Sequence, residues 1–92
     1  MNDGNLYHLG FDPAEIRGEF AILPGDPGRI ESIAAYFTDA VPVAYNREFN
    51  IWRGFADPQR KHPVFLCSTG IGGPSAAIAV EELHMAGVTH FI

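Results

Sequence analysis

Two arginines and two glycine-rich turns are the groups in this sequence best suited to chemistry, and the chemistry they suit is anion binding. Pro24-Gly25-Asp26-Pro27-Gly28-Arg29 and Ser68-Thr69-Gly70-Ile71-Gly72-Gly73-Pro74-Ser75 each stand between an apolar run and a helical pattern. Glycine lets backbone N–H groups approach an anion closely, and a helix N-terminus adds partial positive charge. Arg29 follows the first turn directly, where a cation opposes the dipole of its own helix. A bound anion would reverse that penalty, and a guanidinium can grip phosphate through two N–H groups. Arg47 sits in a break between two extended segments, beside Glu48; its plainer reading is a surface ion pair worth little. Arg29 reads equally as an anion ligand or as a solvated cation, and either glycine turn taken alone reads first as a tight turn.

Other chemistries find less support. No Gly-Lys-Ser/Thr follows either glycine turn, and Ser75 occupies the place of the third glycine in a dinucleotide fingerprint. Gly-x-Ser-x-Gly is absent, so Ser68 and Ser75 do not read as nucleophiles. The histidines have no zinc-type spacing; His62, His84 and His90 read as structural or exposed, and His8 stays open. The single cysteine, Cys67, excludes an internal disulfide and reads as a small buried strand residue.

The elements that must position these groups follow from patterning. Residues 1–11 read as an irregular arm, and Asp12-Pro13 as the cap and first position of one helical turn. Phe20-Ala21-Ile22-Leu23 is a short apolar run, as expected of a strand buried on both faces. Asp26-Pro27 starts a helix whose buried face is Ile30, Ile33, Ala34 and Phe37. Residues 41–45, 49–55 and 64–67 read as strands, with an antiparallel pairing beside the parallel ones. The second glycine turn opens a helix to about Met85, with Ala76, Ala79, Val80 and Leu83 on one face and Gly87 as its stop. Val88 begins a further strand, completing a βαβ unit. The fold class is therefore α/β, a mixed central sheet flanked by helices.

The 92 residues suffice for one small domain, 47% apolar and 18% charged, which does not resemble a disordered chain. A net charge of -5 argues against sequence-independent nucleic-acid binding, though not against holding one phosphate. No stretch approaches the roughly 18 apolar residues of a membrane span, and residues 1–10 do not read as a signal peptide. A cytoplasmic setting is the default expectation. The sequence stops inside a buried-type strand, so a piece of a longer protein is expected, cut after the strand that starts near Val88.

Residues 68–78 with Glu82-Leu83 resemble the signature segment of the nucleoside phosphorylase-I family, and residues 24–29 resemble its amino-terminal phosphate loop. Tyr7-His8-Leu9-Gly10, and Asn46-Arg47-Glu48-Phe49 with Trp52, are similar to the uridine phosphorylase branch in particular, although many of its members have His where Asn46 stands. The resemblance implies a phosphorylase/hydrolase-like fold and pentosyl transfer: uridine and phosphate give uracil and ribose 1-phosphate in pyrimidine salvage. A purine nucleoside phosphorylase or nucleosidase of the same fold is the near alternative, and a non-catalytic phosphate-binding module the distant one. By the same resemblance, Gly25 and Arg29 bind phosphate. Arg47 reaches the phosphate of a neighbouring subunit, and His8, with Tyr7, closes over the neighbour's ribose. Glu48, Ile71 and Ser75 match positions that hold potassium at a dimer interface in some relatives. A dimer-based hexamer with shared sites is implied, with no cofactor beyond phosphate as co-substrate. The family completes its phosphate, ribose and base sites with segments beyond the last strand. These 92 residues alone are accordingly expected to show no phosphorolysis; uracil release from uridine by the purified chain would contradict this.

Overall fold

The computed structural model describes residues 4–92. Its frame is a five-stranded mixed sheet in the order β2-β3-β4-β1-β5. The strands are β1 (Phe20–Ile22), β2 (Thr38–Asn46), β3 (Phe49–Phe55), β4 (Pro63–Cys67) and β5 (His90–Phe91). β1 lies between β4 and β5 and is parallel to both, whereas β2, β3 and β4 pair antiparallel. The two helices are α1 (Ile30–Ala34), entered through a single 3-10 turn at Pro27–Arg29, and α2 (Gly73–Met85).

Strand alternation sends successive side chains to opposite faces, and both faces of this sheet are covered. Val64 and Leu66 face α1, where they pack with Ile30 and Ala34, and with Phe20, Ile22, Phe37 and Trp52. Phe65 and Cys67 face α2 and the amino-terminal arm, packing with Leu6, Leu9, Phe11, Ile51, Ala79, Leu83 and Val88. β4 is thus the buried strand its unbroken apolar run suggests: Val64, Phe65, Leu66 and Cys67 are each 5% exposed or less. Burial pushes the Cys67 thiol up to about 12, with the Glu82 charge a lesser cause, so at neutral pH it is an inert, protonated packing group.

Three features correct the sequence-based expectations. The first helix stops at Ala34 rather than running through Phe37, and the next strand begins at Thr38 rather than at residue 41. Phe37 still packs on the α1 face, but from a turn closed by its N–H on the Ala34 carbonyl at 3.0 Å. It lies so close to β3 that a Cβ at Gly54 would fall 2.9 Å from the Phe37 Cβ. In α2 the buried residues are Ala79, Glu82 and Leu83, while Val80 is 37% exposed. The arm, unexplained by its sequence, is part of the core: Leu6, Leu9 and Phe11 are buried, and the Phe11 ring stacks on Phe65 with centroids 5.3 Å apart. Asp12 caps the single turn that follows, as its sequence indicates, its Oδ1 accepting the Ala14 N–H at 2.9 Å.

Candidate functional site

The first glycine turn leaves the carboxyl end of β1. Asp26 caps the 3-10 turn, accepting the Gly28 N–H at 2.9 Å, and Pro27 supplies a preset φ at its first position. Arg29 stands at the start of α1, exposed, and forms no ion pair with a described residue. α1 is only five residues long, so its dipole is short. Asp26 already accepts the Gly28 and Arg29 N–H groups, so any attraction of this loop for an anion would rest on the remaining loop N–H groups and the guanidinium, less on helix polarity.

The second glycine turn leaves the carboxyl end of β4 and lies against the first. Thr69 N–H donates to the Pro24 carbonyl at 3.0 Å, and Gly70 N–H donates to that of Gly25 at 2.9 Å. Gly70 itself has φ 69, and a Cβ there would meet the Glu48 Cβ at 2.9 Å, so only glycine fits. The structure thus brings Gly25 and Gly70 together at the ends of two adjacent parallel strands, where open α/β sheets place ligands.

A second cluster forms around the β2–β3 turn. Tyr7, His8, Asn46, Arg47, Glu48, Phe49 and Ile78 line a concavity of about 650 Å³. Arg47 occupies the turn with φ 53, a left-handed conformation that a non-glycine residue adopts at a cost of about 1 kcal/mol. The surface ion pair with Glu48 does not form; the Glu48 carboxylate instead accepts the Ser75 hydroxyl at 2.6 Å. That hydrogen bond is the main reason Glu48 ionises below the ordinary glutamate range, followed by its own backbone and, after an opposing desolvation, by the Arg47 and His8 charges. Ile71 is fully exposed on the neighbouring loop. Glu48 and Ser75 thus present adjoining oxygens that could take part in coordinating a hard cation. Among the described residues no group of three or more His, Cys, Asp and Glu could hold a transition metal.

The concavity holds Tyr7, His8, Arg47 and Glu48, while Gly25 and Arg29 stand at the paired glycine loops and are not part of its lining. Hydrogen bonds nevertheless join the two clusters. Ser68, fully buried, donates its hydroxyl to the Glu48 carbonyl at 2.6 Å and accepts the Asn50 N–H at 2.8 Å. The Asn50 side chain then donates to the Pro27 carbonyl at 3.1 Å.

Sequence reasoning did not single out Asn50, Ser68 in this role, or Glu82. Glu82 accepts the His8 and Leu9 N–H groups at 3.0 and 2.9 Å and meets His8 Nδ1 at 2.6 Å. A signal was available: Ala79, Glu82, Leu83 and Ala86 follow the i, i+3, i+4, i+7 spacing of one helix face, which places the carboxylate on the buried side.

A family profile described as "Phosphorylase superfamily" matches residues 19–92. The chain belongs to that superfamily. Across its whole length it is 46% identical to a uridine phosphorylase of Escherichia coli, of which it covers 36%. It is also 46% identical to a uridine phosphorylase of Treponema pallidum, aligned over 94% of the chain and 32% of that protein. A guanosine phosphorylase of Halorubrum lacusprofundi is 47% identical over 92% of the chain and 34% of its own length. The chain thus spans about a third of the length of the curated relatives it matches. Among the described residues no helix is long and apolar enough to cross a membrane.

The Ser75–Glu48 contact yields a direct test. Because the folded-state ionisation of Glu48 is lowered, its contribution to stability is present above the ordinary glutamate range and is lost as pH falls through the lowered value. Ser75→Ala removes the largest cause, so NMR titration should show Glu48 ionising at higher pH than in the wild type. An unchanged titration would place the cause elsewhere.

Proposed function

We propose that this chain supplies the phosphate-binding half of a nucleoside phosphorylase that converts uridine and inorganic phosphate into uracil and ribose 1-phosphate. The observation that carries this reading is identity to uridine phosphorylases along the entire chain, with the Gly25 and Gly70 loops seated together at the strand ends.

In this reaction a phosphate oxygen forms a bond to C1′ of the ribose as the glycosidic C–N bond breaks, its electron pair leaving on the base, which gains a proton. Positive charge develops on the sugar in the transition state, so catalysis consists mainly of holding a dianion beneath C1′. The Gly25 backbone and the Arg29 guanidinium suit the phosphate, and Arg29 has no described carboxylate to neutralise it. Arg47 and His8 line a cavity apart from the Gly25 loop, which suits service in a neighbouring subunit's site. His8, with Tyr7 beside it, would then contact that neighbour's ribose. Such sharing requires a homo-oligomer, and a dimer-based hexamer is the form proposed. Glu48 and Ser75, with the backbone of Ile71, would hold a potassium ion where two subunits meet. No nucleic-acid or membrane partner is proposed.

A purine substrate is the second reading, favoured by the 47% identity to a guanosine phosphorylase. The two readings share everything this chain contains.

The test is a chimera in which these 92 residues replace the matching segment of the Escherichia coli uridine phosphorylase. It should release uracil from uridine only with phosphate present. Arg29→Ala should raise its KM for phosphate about tenfold to a hundredfold, the worth of a charged hydrogen bond. A folded, assembled but silent chimera, or an Arg29→Ala variant with unchanged phosphate KM, would contradict the proposal.

A further inference from the structure

Glu82 is the one carboxylate that is buried among the described residues, at 8% exposure. A carboxylate so placed is costly unless hydrogen bonds compensate it, and here all the compensation comes from the arm. Its Oε1 accepts the N–H groups of His8 and Leu9 at 3.0 and 2.9 Å; its Oε2 lies 3.1 Å from the same His8 nitrogen and 2.6 Å from His8 Nδ1. These contacts join residues 73 and 74 positions apart, so α2 fixes the arm at the point where it enters the concavity. The Tyr7 ring meets the imidazole edge to face, with centroids 4.7 Å apart.

An ionised carboxylate can only accept hydrogen bonds, so the nitrogen facing it must carry the hydrogen. Imidazole in water favours the hydrogen on Nε2; this contact selects the opposite form. We propose that Glu82 is a positioning residue for His8: it holds the hydrogen on Nδ1, so that neutral His8 offers an Nε2 lone pair to the cavity it shares with Tyr7, Arg47 and Phe49. The group such a nitrogen recognises is a hydroxyl donor, and the side chain is 43% exposed, open to receive one. Arg47 and Glu48 line the same cavity and are the charges that face this ring besides Glu82. Assigning the hydroxyl to a ribose rests on the function proposed above; the tautomer does not.

Glu82→Gln separates the two roles of the side chain. Its amide oxygen can keep the His8 and Leu9 N–H groups, while its NH₂ replaces Oε2 and must donate to Nδ1. The arm then stays docked and the imidazole hydrogen moves to Nε2, turning the outward nitrogen from acceptor to donor. Nitrogen-15 NMR of the histidine-labelled chain, recorded without ligand where His8 is neutral, reads this directly. In the wild type His8 Nδ1 should show the shift of a protonated, pyrrole-type nitrogen and Nε2 that of an unprotonated one. In Glu82→Gln the two shifts should exchange. Wild-type His8 protonated on Nε2, as in unstructured histidine, overturns the proposal whether or not the variant folds. A folded variant with unexchanged shifts overturns it too. Neither result depends on nucleoside chemistry, so failure here would leave the phosphorylase reading standing, and a silent chimera would leave the tautomer standing.

Discussion

The carboxyl end of β4 is the constraint on which the site depends. Within three residues, Ser68, Thr69 and Gly70 bind the β2–β3 turn, the start of β3 and the loop after β1. Each of these hydrogen bonds contributes about 1 kcal/mol net, but leaving any one unmade in a buried place costs more. Ser68 has no exposure to water, so no solvent molecule stands in for either neighbour if its hydrogen bond is lost. The two candidate clusters, glycine loops on one hand and Arg47 with His8 on the other, are held in register by this junction. A sheet covered on both faces makes it rigid, since β4 cannot shift without repacking both cores.

Two further restraints act on the clusters themselves. Gly70 lets Glu48 approach the second loop closely enough to meet Ser75, which keeps the carboxylate ionised. Glu82 does the corresponding work for the arm, turning a segment without regular secondary structure into a fixed wall of the concavity. In both cases a carboxylate is engaged by neutral donors rather than by an arginine. Neither Arg29 nor Arg47 forms an ion pair with a described residue, which leaves both guanidinium groups free to hydrogen-bond an external anion.

Much of this frame is legible in the sequence because it is locally encoded. The apolar run Val64-Phe65-Leu66-Cys67, the Asp26-Pro27 start and the Gly87 stop all appear where their residues indicate, Gly87 with φ 98. The early end of α1 is less legible, because Phe37 fits the helical spacing and also packs on the same face from a turn. The arm and Glu82 are least legible, since each makes sense only through the other across more than seventy residues. Helix spacing puts Glu82 on the buried face, but nothing local shows what satisfies its carboxylate there. The glycine loops are legible by composition as tight strand-to-helix turns, but their direct contact through Gly25 and Gly70 is a property of the parallel β1–β4 pairing.

The most direct measurement is a map of backbone amide shifts as inorganic phosphate is titrated into the nitrogen-15-labelled chain. If the paired loops cradle the anion, the amides of Gly25, Asp26 and Arg29 move together along one saturable curve, with Gly70 following through its bond to Gly25. Saturating phosphate that leaves these amides in place, or that moves only residues remote from both loops, would contradict the account.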